Sequence, residues 1–169
     1  MARISDLTQT QCPVARAESV VGDSWTVLVL RELFFGNHRF DEIQALTGAT
    51  PQMVATRLKK LETNGVVERR TYSLRPVRYE YHLTKKGADL FQVMMALRAW
   101  GEKWLRVEGE DRSIEYVHAD CGHLAGLGPL CDHCGELLKR EDLSPQWSPG
   151  STAERAAQRA AFRESRSRA

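Results

Sequence analysis

The sequence predicts a mainly α-helical fold with a small β-hairpin wing, a winged helix-turn-helix, followed by a small zinc-ribbon-like segment. Two amphipathic stretches, 39–46 and 51–63, have the apolar spacing of short helices, and Gly48 between them can take the positive φ of a sharp turn. Two runs rich in β-branched and aromatic residues, 66–72 and 79–83, are typical of a hairpin. Three of the four cysteines lie within fourteen residues, which in a chain without a secretion signal favours metal binding over disulfides.

Two helices are predicted to precede the helix-turn-helix. The first begins at Pro13, which suits the first helical position, and stops at Gly22. The second covers 25–35 and can be capped by Asp23 or Ser24. Because this second helix is dense in Val, Leu and Phe, we expect it to be buried nearly all round and to form the centre of the core.

The second helix of the helix-turn-helix is predicted to be the element that reads DNA. Thr50 can cap it, and Val54, Leu58 and Leu61 form its buried face at spacings i, i+4 and i+7. From position 51 to position 79 the chain holds seven Lys or Arg and two Glu, a local charge of 7 − 2 = +5. In a chain of net charge +2 this favours a surface that faces a polyanion. A solvated helix face beside an ordinary hairpin is the alternative interpretation.

Individual side chains of this basic surface suit particular parts of a DNA duplex. Gln52 can pair with adenine and Thr56 can contact a thymine methyl, whereas Arg57 and Lys60 can reach base edges or phosphates. The arginines of the hairpin loop suit the phosphate backbone or the minor groove. The predicted DNA-binding residues are Gln52, Thr56, Arg57, Lys59, Lys60, Arg69, Arg70, Arg75 and Arg78.

A long helix is predicted from 85 to about 107, capped by Thr84. Its apolar face is longer than a compact winged-helix core needs to cover itself, so the surplus is a candidate dimer surface. This face consists of Leu90, Met94 or Val93, Leu97, Trp100 or Gly101, and Trp104.

Two repeats of the form ligand-x-x-Cys-Gly follow this helix, His118-Ala-Asp-Cys121-Gly122 and Cys131-Asp-His-Cys134-Gly135. In such knuckles the glycine lets backbone N–H groups turn toward a thiolate. The predicted ligands are His118, Cys121, Cys131 and Cys134, a Cys₃His set for a structural Zn²⁺ ion. Two other histidines, His123 and His133, are alternative fourth ligands. An unmetallated or redox-active thiol cluster and incidental cysteines are the other interpretations.

Missing motifs limit the remaining classes of function. There is no Gly-rich phosphate loop and no Gly-x-Ser-x-Gly elbow, and a closed Cys₃His site has no open position for catalysis, so no enzyme is expected. No secretion signal and no membrane-spanning run are recognised, so a cytoplasmic, nucleoid-associated protein without a membrane partner is expected. The predicted domains are 12–107 for DNA binding and dimerisation, 108–147 for the Cys/His extension and 148–169 for a disordered tail rich in Arg, Ala and Ser.

Several motifs lie in register over about 12–104: Cys12-Pro-Val-Ala-Arg-Ala, Gly22-Asp-Ser-Trp25-Thr-Val-Leu, Leu30-Arg-Glu-Leu33, Arg39-Phe40, Arg57-Leu58-Lys-Lys-Leu61 and Tyr79-Glu-Tyr81-His-Leu-Thr84. This pattern resembles the HxlR-type winged helix-turn-helix regulators. The resemblance implies a bacterial transcription factor that binds operator DNA as a homodimer, with a dimer surface built from the first and last helices of the domain. Some members carry a similar Cys-Gly-His and Cys-x-x-Cys extension.

The resemblance also implies two interpretations of Cys12. In several members of the family a cysteine at the matching position senses oxidants, quinones or aldehydes. A thiol at a helix N-terminus has a larger reactive thiolate fraction, which is the physical basis of such sensing. In other members the matching cysteine has no known thiol chemistry, and it is then a small apolar residue at a helix start.

The sequence therefore predicts a sequence-specific DNA-binding transcriptional regulator, a repressor that binds an inverted-repeat operator in double-stranded DNA as a homodimer. The alternative is a redox or electrophile sensor, in which Cys12 or the Cys/His cluster responds to a small electrophile, a metal or another effector. A third interpretation is a protein-interaction module whose zinc-ribbon-like segment docks a partner.

Overall fold

Residues 9–168 are described by the computed structural model. The chain divides into two compact units, Met1–Gly87 and Ala88–Ala169, the first with the helix-turn-helix and hairpin and the second with the Cys/His segment. This division differs from the predicted boundary at 107, because the helix that precedes the Cys/His segment forms side-chain hydrogen bonds with it.

The first helices of the first unit within the described residues are α1 (Pro13–Val21) and α2 (Ser24–Phe34). Of the two predicted caps of α2, Asp23 is the one used, since its carboxylate accepts a hydrogen bond from the Thr26 N–H at 3.1 Å. The buried face of α2 packs against the two helices that follow. Helix α2 is therefore central to the core of the first unit, as predicted, but it is not buried nearly all round, because Val27 and Leu28 are only partly buried and Ser24 is exposed.

One acidic side chain, Glu32, is fully buried in this core. Its carboxylate accepts hydrogen bonds from Asn37 Nδ2 and Arg31 Nε, each at 2.8 Å. Arg31 also donates to the Leu46 carbonyl at 3.1 Å. A buried charge is tolerated when it is paired and hydrogen-bonded, and here the pairing ties α2 to the helix-turn-helix.

The helix-turn-helix consists of α3 (Phe40–Thr47) and α4 (Pro51–Thr63), as the sequence predicts. Gly48 lies between them with φ of 70°, a left-handed conformation that other residues adopt only with strain. The Thr50 hydroxyl accepts from the Met53 N–H at 3.3 Å, so the predicted cap of α4 is present.

The wing is an antiparallel pair, β1 (Val67–Leu74) and β2 (Val77–Leu83). Pairing extends to Leu74 and Val77, so the turn is much shorter than the loop of 73–78 that the sequence predicts. The segment before α3 joins the same sheet, because the Tyr81 N–H donates to the His38 carbonyl at 2.8 Å. This hydrogen bond fixes the wing to the segment that leads into α3.

The predicted helix over 85–107 is interrupted in the structure. A short helix, α5 (Lys85–Ala88), is capped by Thr84, whose hydroxyl accepts from the Gly87 N–H at 3.2 Å. The longer α6 (Phe91–Trp104) follows after a turn. Helical periodicity is present on both sides of the turn, so periodicity alone does not reveal the break.

Replacing Gly87 with alanine is expected to destabilise the first unit, although alanine in a helix normally gains roughly 1 kcal/mol over glycine. A Cβ at position 87 would lie 2.1 Å from the Val66 carbonyl oxygen, which is rigid backbone. We expect relief of this clash to cost about 1–3 kcal/mol in urea unfolding. Gly150→Ala is the control, because the nearest atom to its Cβ is 4.0 Å away. An unchanged unfolding midpoint in Gly87→Ala would contradict the expectation.

In the second unit, β3 (Ile114–His118) pairs antiparallel with β4 (Leu143–Trp147), and a 3₁₀ turn (Arg140–Asp142) precedes β4. These strands and the loops between them make up the ribbon, residues 114–147. Its small core contains the buried side chains of Ile114, Tyr116, Ala125, Leu138 and Leu143.

The tail predicted to be disordered instead contains a helix, α7 (Pro149–Ser167). The Ser148 hydroxyl accepts from the Ser151 N–H at 3.1 Å and caps it. No side chain of α7 is buried, and Arg155 stacks over the Trp147 ring at 4.6 Å. Its cap and its Ala and Arg content, rather than burial, favour the helix. Within 9–168, no helix has the length and hydropathy that crossing a membrane requires.

Candidate nucleic-acid interface and metal centre

Helix α4 has one buried face and one exposed face. Val54, Leu58 and Leu61 are buried, as the sequence predicts. The exposed face carries Gln52, Thr56 and Lys59, whose spacing of i, i+4 and i+7 places them on one stripe. A helix of this kind, following a short helix and a tight turn, is the element that enters the major groove in helix-turn-helix proteins.

Arg57 does not lie on this exposed stripe. Its guanidinium Nε donates to Asp23 Oδ1 at 3.1 Å, and both side chains are partly buried. Burial alone would raise the pKa of Asp23, but hydrogen bonds from Thr26 and Arg57 outweigh it and hold the pKa below its usual value. The structure therefore gives Arg57 a role in joining α4 to the start of α2. Lys60, on the same flank, is half-buried.

The four arginines of the wing fall into two pairs. Arg69 lies 3.6 Å from Glu62 and stacks on the Tyr79 ring at 4.2 Å, and Arg70 pairs with Glu68. Arg75 and Arg78, at the wing tip, are exposed, and within residues 9–168 neither joins an ion pair. The tip arginines are thus the ones available to a phosphate.

Two apolar residues also lie at the wing tip. Leu74 and Val77 face each other across the turn and are exposed. Both residues lie in the segment 73–78 that the sequence predicts to be the hairpin loop, which agrees with their exposure.

The four predicted metal ligands come together in the second unit. Cys121 Sγ lies 3.7 Å from Cys131 Sγ, and His118 Nδ1 lies 3.5 Å from Cys121 Sγ and 3.3 Å from Cys134 Sγ. All four ligand atoms lie within 4.8 Å of one another. A tetrahedral metal with bonds of about 2.3 Å to sulfur and 2.0–2.1 Å to nitrogen needs edges of roughly 3.8 Å and 3.5 Å. The four groups can therefore hold a metal ion.

Two turns of matching geometry deliver these ligands. The Gly122 N–H donates to the His118 carbonyl at 2.8 Å, and the Gly135 N–H donates to the Cys131 carbonyl at 2.9 Å. Their φ angles are 72° and 76°, so both positions need glycine. The repeated ligand-x-x-Cys-Gly pattern in the sequence thus corresponds to a repeated turn.

The structure distinguishes among the three candidate histidines. His118 is 1% exposed and directs Nδ1 at the sulfur atoms. His123 and His133 instead stack on each other with ring centroids 3.5 Å apart, and His123 Nδ1 lies 2.7 Å from the Cys121 carbonyl. His118 is therefore the histidine that joins the cluster.

The backbone around the cluster favours a thiolate at Cys131. The pKa of Cys131 is lowered to about 6, chiefly by a hydrogen bond from the Cys134 N–H. The His133 N–H also lowers this pKa, whereas burial acts in the opposite direction. For Cys134 the Glu136 N–H lowers the pKa, but burial and the neighbouring thiols outweigh it, so the pKa of Cys134 is raised. The thiolate is the metal-binding form of cysteine.

Two further features bear on function. Helix α6 exposes Val93, Leu97, Trp100 and Trp104, which we term the apolar stripe. In the first unit, Cys12 is exposed at the residue before α1, and its thiol is free.

Comparisons with known proteins agree on the class of helix-turn-helix transcriptional regulators. The model of the HxlR-like helix-turn-helix family matches residues 20–109. The chain is 39% identical over 141 residues to the HTH-type transcriptional regulator Rv3095 of Mycobacterium tuberculosis, covering 83% of this chain and 88% of the relative. Among solved structures, that of PA1607, a proposed transcription factor, superposes with a TM-score of 0.65 at 34% identity, covering 81% of this chain and 95% of that one.

A redox regulator is also similar to the chain. The structure of HypR in its oxidized form matches with a TM-score of 0.53 at 31% identity. The match covers 57% of this chain and 100% of HypR.

Proposed function

The chain belongs to the HxlR-like helix-turn-helix family, a class of non-enzymatic transcriptional regulators, and we propose that it is a homodimeric repressor that binds an inverted-repeat operator. The observation that carries this proposal is the exposed stripe of Gln52, Thr56 and Lys59 on α4. Two copies related by two-fold symmetry would present two such helices to half-sites whose centres lie about 34 Å apart. As a DNA-binding regulator it would act in the cytoplasm, on the nucleoid.

In the proposed complex, each α4 lies in the major groove and each wing lies along the flanking backbone. Gln52 and Thr56 have the donors, acceptors and methyl group that read base edges, whereas Lys59 can reach a base or a phosphate. Arg75 and Arg78 at the wing tip are free to contact phosphates or the minor groove.

A salt titration of operator binding tests this division of roles. We expect Gln52→Ala to lose about 1–3 kcal/mol on the operator but little on unrelated DNA, because it removes a base contact. Arg75→Ala should weaken binding to all sequences and reduce the slope of log K against log salt by about 1. Arg57→Ala serves as the structural comparison, since it breaks an ion pair worth at most about 1 kcal/mol of stability. If Gln52→Ala and Arg75→Ala both bind operator like the wild-type protein throughout the salt titration, the proposed docking on DNA is wrong.

The dimer is proposed to form through the apolar stripe of α6. Large apolar side chains exposed along one helix face mark association surfaces, and tryptophan is enriched among the residues that dominate their energy. In the first unit, α1 also exposes an apolar residue, Val14, at 74%. This fits the use of first and last helices that the family resemblance implies.

A structural Zn²⁺ ion is proposed at His118, Cys121, Cys131 and Cys134. The spacing of the four atoms and the Cys₃His donor set suit tetrahedral zinc. Four protein ligands leave no open position for a substrate, so the ion would contribute folding energy rather than catalysis.

A second candidate function, sensing of oxidants or electrophiles at Cys12, is favoured by the exposure of this thiol and by the similarity to the redox regulator HypR. We expect a quinone or an aldehyde to reduce operator binding of the wild-type protein but not of Cys12→Ser, because the serine hydroxyl is a much weaker nucleophile. Mobility shifts with and without reagent measure this. Cys12→Ser should bind DNA normally without reagent, and an unchanged response in this variant would end the hypothesis.

A further inference from the structure

We propose that the ribbon clamps α6 in place, so that assembly of the dimer depends on the metal in the Cys₃His cluster. The inference rests on the proposed function, because it takes the dimer surface and the bound ion from there. It adds a physical link between the dimer surface and the bound ion. Side chains of α6 form this link, and Arg98 among them is a positioning residue.

The link is a set of polar contacts from α6 to the ribbon backbone. Arg98 donates to the carbonyls of Ile114 at 2.6 Å and Gly126 at 3.2 Å, and its guanidinium lies 5.1 Å from the centre of the Tyr116 ring. Gln92 donates to the Leu138 carbonyl at 2.6 Å. Ile114 and Tyr116 lie on β3, the strand that ends at the ligand His118.

These contacts and the apolar stripe lie on different faces of α6. At about 100° per residue, positions 93, 97, 100 and 104 share one narrow face, and positions 98 and 102 lie roughly opposite. Arg98 is accordingly half-buried and Glu102 accepts from Ser113 at 3.4 Å, whereas Trp100 and Trp104 are exposed. A clamp on one face therefore sets the direction in which the other face points.

Helix α6 has few means of its own to stay folded. It spans 14 residues, its N-cap residue Leu90 provides no side-chain hydrogen bond, and it includes Gly101. Isolated helices shorter than about 12–15 residues are marginal in water, so α6 depends on tertiary contacts. The ribbon is itself small, and domains below about 40 residues usually need a metal or disulfides to fold. Loss of the ion would thus loosen the ribbon, then α6, and then the dimer.

Sedimentation equilibrium of the full-length protein tests the proposal, with zinc content measured by elemental analysis. In the presence of a reductant, a zinc chelator should weaken the dimer by about tenfold or more. Arg98→Met leaves the four ligand residues in place, so it should keep about one zinc per chain. It should nevertheless weaken the dimer about tenfold. Arg163→Met, an exposed arginine on α7, is the matched control and should dimerise like wild type.

Hydrogen exchange separates the clamp from the functions it rests on. Chelation should remove protection from the amides of α6 while those of α4, in the other unit, keep theirs. A chelated protein that dimerises as tightly as the loaded one, with α6 still protected, would overturn the inference. If the zinc-loaded protein is monomeric, the proposed dimer fails. The protection of the α6 amides after chelation then still tests whether the ribbon holds this helix.

Discussion

Replacing Cys131 with serine is expected to abolish zinc binding and to unfold the second unit. Cys131 is buried, and its sulfur lies 3.7 Å from that of Cys121. Binding of a structural zinc ion contributes about 10–16 kcal/mol in small zinc domains, and most of this is lost with a thiolate ligand. The ribbon cannot replace it, because its core contains few large side chains.

Elemental analysis and near-ultraviolet circular dichroism measure this outcome. Zinc should fall from about one ion per chain, the stoichiometry of a Cys₃His site, to well below half. The aromatic signal of Tyr116 and Trp147, which lie on the ribbon, should decrease. Cys12→Ser is the control, because Cys12 lies in the other unit, and it should keep its zinc. A fully loaded Cys131→Ser protein, or wild type without zinc, would rule out the site.

Replacing Trp100 with aspartate is expected to give a monomer whose operator affinity is lower by about 100-fold or more, since linked half-sites gain about 10²–10⁴ through effective concentration. Trp100 is 57% exposed near the middle of the apolar stripe. Truncating a central interface tryptophan commonly costs about 2–4 kcal/mol, and burying an unpaired carboxylate adds to this.

The matched control places the same charge on another exposed apolar residue. Leu137, on the ribbon, is 55% exposed and lies outside the apolar stripe, so Leu137→Asp should remain dimeric and bind operator normally. Light scattering after size-exclusion chromatography gives the mass of each variant, and fluorescence anisotropy gives the operator affinity. A dimeric Trp100→Asp protein would remove the stripe from the interface.

Local signals account for the parts of the fold that the sequence predicted well. Gly48, Thr50 and Pro51 define a turn, a cap and a helix start within four residues, so the helix-turn-helix can be read without knowing its surroundings. The two knuckles are equally local, since each ligand pair and its glycine span five residues. The lack of apolar residues in the tail predicts disorder, but a helix that is capped by Ser148 and rich in Ala and Arg does not need a buried face to form.

Other properties depended on residues far apart in the chain. Arg57 has the same sequence appearance as a base-reading residue, and its pairing with Asp23, 34 positions away, follows from how α2 and α4 pack. The choice of His118 over His123 and His133 follows from the pairing of β3 with β4, which fixes the end of β3 at the thiols. The assignment of α6 to the ribbon depends on Arg98 and on carbonyls 16 and 28 residues later.

The sequence by itself thus determined the helix-turn-helix, the wing and the two knuckles, because caps, glycine turns, apolar periods and knuckle spacing act over a few residues. The tertiary structure decided which side chains are free to act. Only folding brings Arg57 to Asp23, and Arg98 of α6 to the carbonyls of Ile114 and Gly126. The physical reason is that a charged side chain pairs with the complementary group nearest to it in space. The distance along the chain does not reveal which group that is.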